Sequence, residues 1–348
     1  MNASFTSDTG ERSDDMQWID RVFDYYARYY QITMIAAAGN QRYGNHIGSP
    51  AKGYNVIAVG GTDDKNNTIW GDDVIWWDAA LQRGSAWKNP KRDDGTYGDR
   101  EKPEVVAAAK DLTLLNENNQ TYTDSGTSYS APQVAGLAAL MAHRNPDLYD
   151  EPQAMRAIIM ASAVHNIDGP TGIPTGQDLK GGAGAIDAAS ADTVAAIGYS
   201  DTLQYPYPAC EAPCWWSNWI HNNLPSTPSA HFPPGTHRWY YFKASSGARI
   251  RIALTWDSNP AGSGSNYYED PLETDLDLDV YDPDGQRVGN GISASNDNSY
   301  ELVDFVAPKT GQYAIGVYKK SGVTELLNWL GLAWVKVPQM YLPLILSD

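Results

Sequence analysis

The segment Ser125-Gly126-Thr127-Ser128-Tyr129-Ser130-Ala131-Pro132 places a hydroxyl where a helix is about to begin, since Val134, Ala135, Leu137, Ala138 and Leu140 follow at helical spacing. The first amides of a helix have no intrahelical acceptor and carry partial positive charge. A serine at that point can act as a nucleophile, and its own N–H can stabilise the oxyanion that its attack creates. Gly126 would let a substrate backbone come close. The same residue types also cap helices without any chemistry, so the reading depends on the rest of the chain.

Other groups invite chemistry less strongly. His46, His143 and His165 fall where a loop or helix end needs no special role for them, and Asp8-Thr9-Gly10 reads as a polar turn. Asp275, Asp277 and Asp279 alternate with Leu276, Leu278 and Val280, so a strand would set the carboxylates on one face, followed by the turn Asp282-Pro283-Asp284-Gly285. Repulsion among these aspartates would be relieved by a structural calcium ion or by solvent on an acidic face. An EF-hand is excluded, because counting from Asp275 puts Val280 at the glycine position and Gln286 at the final glutamate.

The elements that must position Ser128 come from the first half of the chain. Ile32 to Ala38 is nearly all apolar and stops at Gly39-Asn40, as a strand buried on both faces does, and Val56 to Val59 repeats the pattern. Met16 to Tyr30 has helical spacing. The segment after Ser128, with Pro132 in its first turn, reads as a buried central helix, Arg156 to Val164 as another, and Gly182 to Asp187 as the lead into a last one. This alternation predicts an α/β unit with a mostly parallel sheet over residues 1–197. Prolines punctuate 198–238, a predicted connector, and aromatic-rich alternating strands follow over 239–340, with a tail at 341–348. The strand candidates are Trp239 to Lys243, Arg249 to Trp256, Leu276 to Tyr281, Tyr300 to Val306, Tyr313 to Tyr318 and Leu332 to Val337, which predicts a separate antiparallel sandwich or jelly roll.

Composition narrows the partners. The 348 residues are enough for two domains, and a net charge of −17 without basic clusters argues against nucleic acid. The 12 Trp and 22 Tyr among many turn residues suit an exported protein. Cys210 and Cys214 are too few for a disulfide scaffold, and either a local bridge or two free thiols fits. The segment Met1 to Thr6 has neither the basic nor the apolar region of a signal peptide, and no apolar run approaches a membrane span.

The motif Gly126 to Pro132 resembles the nucleophile motif of the subtilase family of serine proteases, with Ser128 as the catalytic serine. Ala36-Ala37-Ala38-Gly39-Asn40 resembles the strand end from which that family presents an asparagine amide, Asn40 here, to the oxyanion. Gly48 to Ala51 with Val56 to Gly60, Lys102 to Ala107 and Gly182 to Asp187 agree in family order, and Asn2 to Phe5 looks like the edge strand that pairs with extended substrate. Ala107-Ala108-Ala109 departs from the family's loop but leaves Ser128 untouched. The resemblance covers Met1 to Ile197. It implies a secreted, cofactor-independent endopeptidase acting on peptides or proteins, with Ser4, Phe5, Ala38, Gly39, Gly126 and Thr127 bordering the substrate. Residues 239–318 resemble the β-sandwich appended to secreted bacterial subtilases, associated with stability or substrate engagement.

A subtilase triad runs in the order Asp, His, Ser, with both helpers ahead of the oxyanion asparagine. Here the first histidine, His46, already follows Asn40. The chain by itself is therefore expected to be nearly inactive, since losing the histidine costs about as much as losing the whole triad, on the order of 10⁶-fold. A truncated protease is expected, ahead of an enzyme completed by a complementing chain and of a non-catalytic relic. The reading from a different class is a binding protein whose sandwich engages protein or glycan.

Overall fold

The computed structural model describes residues 1–6, 13–41, 46–164, 180–200, 209–220, 239–263, 266–321 and 328–337. The tail at 341–348, Asp8-Thr9-Gly10 and His165 lie outside these residues.

Four parallel strands form the middle of the first half, in the spatial order Asn2–Ala3, Met34–Ala37, Val56–Asp63 and Val105–Ala108, with Asn2–Ala3 at the sheet edge. Strand side chains alternate between faces, and both faces are covered. Ile35, Ala37, Ile57, Val59, Val105 and Ala107 meet helices α2 (Thr127–Arg144) and α3 (Pro152–Ser162). Met34, Ala36, Val56 and Ala58 meet Phe23 and Ala27 of α1 (Trp18–Tyr30). This is why the strands read as unbroken apolar runs. Helix α1 starts where the Gln17 N–H donates to Asp20 Oδ2 at 2.7 Å, and it stops at Gln31, whose φ of 53° is left-handed.

The second half is a sandwich of two sheets. The five-stranded one runs Gly198–Ser200, Cys214–Trp219, Trp329–Lys336, Arg249–Trp256, Tyr300–Val306, and the four-stranded one runs Trp239–Ala244, Gly311–Ser321, Asp275–Tyr281, Arg287–Ser293. Ile250, Ile252, Leu254 and Trp256 point into the sandwich core with Leu276, Leu278, Val280 and Ile315. Two strands thus fall inside 198–238, where the prolines predict a connector, and Arg287–Ser293 forms a strand from glycines and polar residues that carry no alternation. Cys210 and Cys214 are joined in a buried disulfide, which closes the alternative left open by the sequence.

The two halves are less separate than their compositions suggest. All 11 residues of α3 are buried, and Ala154, Ala157, Ile158 and Ala161 share a core with Trp215, Ala253, Leu302, Ala333 and Val335 from the outer face of the five-stranded sheet. The close approach requires Gly331, where an added Cβ would lie 2.2 Å from the Ala154 nitrogen. Arg156 reaches out of α3 to the carbonyls of Tyr54, Trp256 and Ser299 and to the Ser299 hydroxyl at 2.9 Å, tying both halves to one guanidinium.

Candidate active site

Helix α2 begins at Thr127, so Ser128 is its second residue and sits half-buried at the positive end of the helix. Pro132 is the sixth residue of the helix, beyond the first turn in which the sequence pattern predicts it. Having no N–H, it leaves the Ser128 carbonyl without the usual acceptor bond. The start of α2 is fastened to the end of strand Val105–Ala108: Ser130 Oγ donates to the carbonyls of Ala107 and Ala108 at 3.2 Å each, and Gln133 Nε2 donates to Ala108 at 2.8 Å. Ser130 belongs to the nucleophile motif, yet nothing in the sequence pattern assigns it this anchoring role. Its spacing of two residues from Ser128 is the only signal there.

Asn40 follows strand Met34–Ala37 and meets this helix end. Its Oδ1 accepts from the Thr127 N–H at 2.8 Å and from Thr127 Oγ1 at 2.9 Å, and Thr127 Oγ1 in turn accepts from the Gly39 N–H at 3.2 Å. With Oδ1 so engaged, the amide group is turned toward Gly126, where an added Cβ would lie 3.1 Å from Nδ2. Nδ2 donates to none of the described residues, and Gly39 takes a φ of 114° that a side chain would resist. Asn40 is thereby fastened to the residue that precedes Ser128, at the end of α2 where the first backbone N–H groups are free of helical acceptors.

The neighbouring residues belong to the sheet and the loops at its strand ends. Asn2–Ala3 pairs in parallel with Ile35 and Ala36, and Ser4 and the exposed Phe5 continue that edge. Ala38 donates its N–H to Val59 and accepts from Gly48 at 2.8 Å, so the loop at 46–51 packs behind the strand end. Tyr129 donates its phenol to Asp124 Oδ2 at 2.7 Å. That bond raises the tyrosine's pKa and, seen from the other partner, lowers that of Asp124.

The Ser128 hydroxyl has no hydrogen-bond partner among the described residues. His46 Nδ1 is bonded to Asp14, whose carboxylate also accepts from Lys88 and Tyr97. Burial would raise the Asp14 pKa, but these bonds outweigh it and hold it low. His143 lies exposed near the far end of α2.

The motif Lys102-Pro103-Glu104 serves the sheet. Lys102 Nζ donates to the Val56 carbonyl at 2.8 Å and pairs with Glu104, whose other oxygen accepts from the Ala58 N–H at 2.8 Å. Burial brings the Lys102 pKa down to about 8.

The calcium expectation does not fit the sandwich geometry. Asp277 faces Lys320 at 3.9 Å, Asp279 faces Arg287 at 3.6 Å, and Asp282 and Asp284 both pair with Lys309, the latter at 2.7 Å. Asp275 is buried, and burial followed by the charge of Asp277 pushes its pKa up to about 6. Protein cations thus relieve much of the repulsion that suggested a metal, and no group of three potential ligands converges among the described residues.

The profile of the subtilase family matches residues 1–191, and that of the bacterial pre-peptidase C-terminal domain matches residues 236–319. Serine protease AprX of Bacillus subtilis (strain 168) is 35% identical over 132 residues, covering 34% of this chain and 27% of AprX. Subtilisin-like protease SBT6.1 of Arabidopsis thaliana is 30% identical over 181 residues, covering 50% of this chain and 15% of SBT6.1. The chain thus spans about a quarter or less of the length of these relatives. Among solved structures, the prenylagaramide maturation protease PagA aligns with a TM-score of 0.37 at 22% identity, covering 55% of this chain and 59% of that one.

Proposed function

Because this chain belongs to the subtilase family of serine proteases, we propose that it carries the nucleophile and oxyanion hole of a serine endopeptidase whose general base and orienting carboxylate come from outside these 348 residues. Ser128 Oγ attacks the scissile carbonyl carbon and its proton passes to a histidine. The Ser128 N–H and Asn40 Nδ2 hold the oxyanion until the C–N bond breaks and the amine leaves protonated. An extended substrate adds alongside Ser4 and Phe5 at the sheet edge, with Gly126 admitting its backbone. The helpers are supplied by a segment preceding residue 1 or by a second chain, and the site of action is extracellular. The observation that supports this reading is the double hydrogen bond from Thr127 to Asn40 Oδ1, which leaves the amide nitrogen facing Gly126 with no acceptor among the described residues.

A fluorophosphonate probe tests it. The chain joined to an N-terminal segment bearing a subtilase Asp and His should label at Ser128 and hydrolyse peptide, and Ser128→Ala should abolish both. The chain without that segment should label slowly or not at all. Absence of labelling from the folded, extended form would count against the proposal and favour the binding-protein reading.

A further inference from the structure

Helix α1 and the short strand Asn266–Glu269 build an aromatic surface at the junction of the two halves, on residues the catalytic reading does not use. Trp18, Tyr26, Tyr29, Tyr30 and Tyr268 are between 38% and 61% exposed. The rings are organised: Tyr26 stacks on Tyr30 at 5.0 Å, Tyr25 lies 4.7 Å from Tyr29, and Tyr267 meets Tyr25 at 5.1 Å and Trp18 at 6.2 Å. Large rings left in water together, from both halves of the molecule, are the mark of an interaction surface rather than of scattered exposure.

A cavity of about 410 Å³ adjoins this surface, sharing Glu269 with the aromatic strand and Asp93 with α1 through the Arg21–Asp93 ion pair of 2.6 Å. Pro271 and Leu272 supply apolar lining, and Asp93, Asp94, Glu269 and Asp297 outnumber the single cation Arg92. The nearby cations are already committed. Arg92 is paired with Asp297, Arg21 with Asp93, and Arg28 turns inward to the Ser258 carbonyl. Glu269 has no ion-pair partner among the described residues, and Asp94 accepts only from Thr96. The face thus offers rings, an apolar cleft and carboxylates in excess of cations.

We propose that this face docks a basic polypeptide segment, with Lys or Arg side chains entering the cleft between Asp94 and Glu269 and the rings receiving the adjoining residues. The stems of such side chains suit Pro271 and Leu272, and their cationic heads gain from carboxylates and from ring faces. Charge complementarity selects this occupant. A chain of net charge −17 repels a second copy of itself and any polyanion. Binding here is independent of Ser128.

The test measures fluorescence anisotropy of a labelled octa-lysine peptide against the full chain carrying Ser128→Ala, with a glycine-serine peptide of equal length as the neutral control. The lysine peptide should bind and the neutral one should not. Asp94→Asn with Glu269→Gln, and separately Tyr26→Ala with Tyr30→Ala, should each weaken binding about tenfold or more, as expected when residues at the centre of an interface are removed. All four side chains are exposed, and an unchanged melting temperature checks that the variants are folded. Glu117→Gln with Asp150→Asn makes the same change in net charge elsewhere and should alter binding by no more than about twofold. Equal weakening by both charge pairs would mean diffuse attraction and would overturn the proposal. So would failure of the lysine peptide to bind, or binding of a neutral cello-oligosaccharide in its place.

Discussion

Asn40 Oδ1 is held by both the N–H and the hydroxyl of Thr127, at 2.8 and 2.9 Å, so the residue preceding Ser128 sets the orientation of the Asn40 amide. Thr127→Val keeps the first bond and removes the second, and it also strips the buried Gly39 N–H of its acceptor. In a form supplied with Asp and His, Thr127→Val should slow phosphonate labelling about tenfold, against the roughly 10²- to 10³-fold that loss of an oxyanion donor costs in Asn40→Ala. A Thr127→Val rate equal to that of the unmodified enzyme would show that Asn40 needs no anchor from the side chain.

The helix start at Ser128 and the strand end before Asn40 are legible in the sequence because they depend on short, local patterns: a small-residue turn entering a helix, and a buried strand ending in Gly-Asn. Strands Arg249–Trp256 and Tyr300–Val306 are legible for a similar reason, since alternation survives wherever a strand has two distinct neighbours. What escapes is tertiary. Buried on every side, α3 lacks the polar face that would announce what covers it, and Gly331 meets Ala154 across a sequence separation no periodicity can bridge. The aspartates from Asp275 to Asp284 mislead because their neutralising partners, Arg287, Lys309 and Lys320, become apparent only once strands are paired.

Arg156 is the polar counterpart of that tertiary contact. Its buried guanidinium satisfies carbonyls from the loop at Tyr54, from Trp256 at the end of one sandwich strand and from Ser299 just before another. Arg156→Met fills much of the volume but leaves several buried acceptors unmet, each costing about 1–3 kcal/mol. Urea denaturation should report a loss on the order of 3–5 kcal/mol. A loss within about 0.5 kcal/mol, the range of ordinary surface substitutions, would mean water replaces the guanidinium without penalty.

Gly331→Ala tests the fit of α3 on the sheet. The new methyl would meet the Ala154 nitrogen at 2.2 Å and the Gln153 carbonyl oxygen at 2.4 Å, both backbone atoms with nowhere to rotate. Overpacking of this kind costs about 1–3 kcal/mol or more. Calorimetry should show a lower melting temperature and, because the halves share this core, a split of one unfolding transition into two. A single transition at the original temperature would contradict the packing described.

Glu151, at the start of α3, gives the junction a pH dependence. It accepts from Ser200 at 3.3 Å, and burial raises its pKa from 4.5 to about 7. At pH values below 4.5 the carboxyl is protonated in both folded and unfolded chains and exacts no penalty. Between 4.5 and about 7 the unfolded chain has released the proton while the folded chain retains it, so stability from this group falls as pH rises. Above that window the penalty is complete. Glu151→Gln should leave stability nearly unchanged at the acid end and raise it by on the order of 1–3 kcal/mol near pH ~8. Urea titrations of both proteins across the window would decide it. If the difference between them does not grow with pH, Glu151 is ionised throughout, and its burial is compensated by contacts beyond the Ser200 hydroxyl.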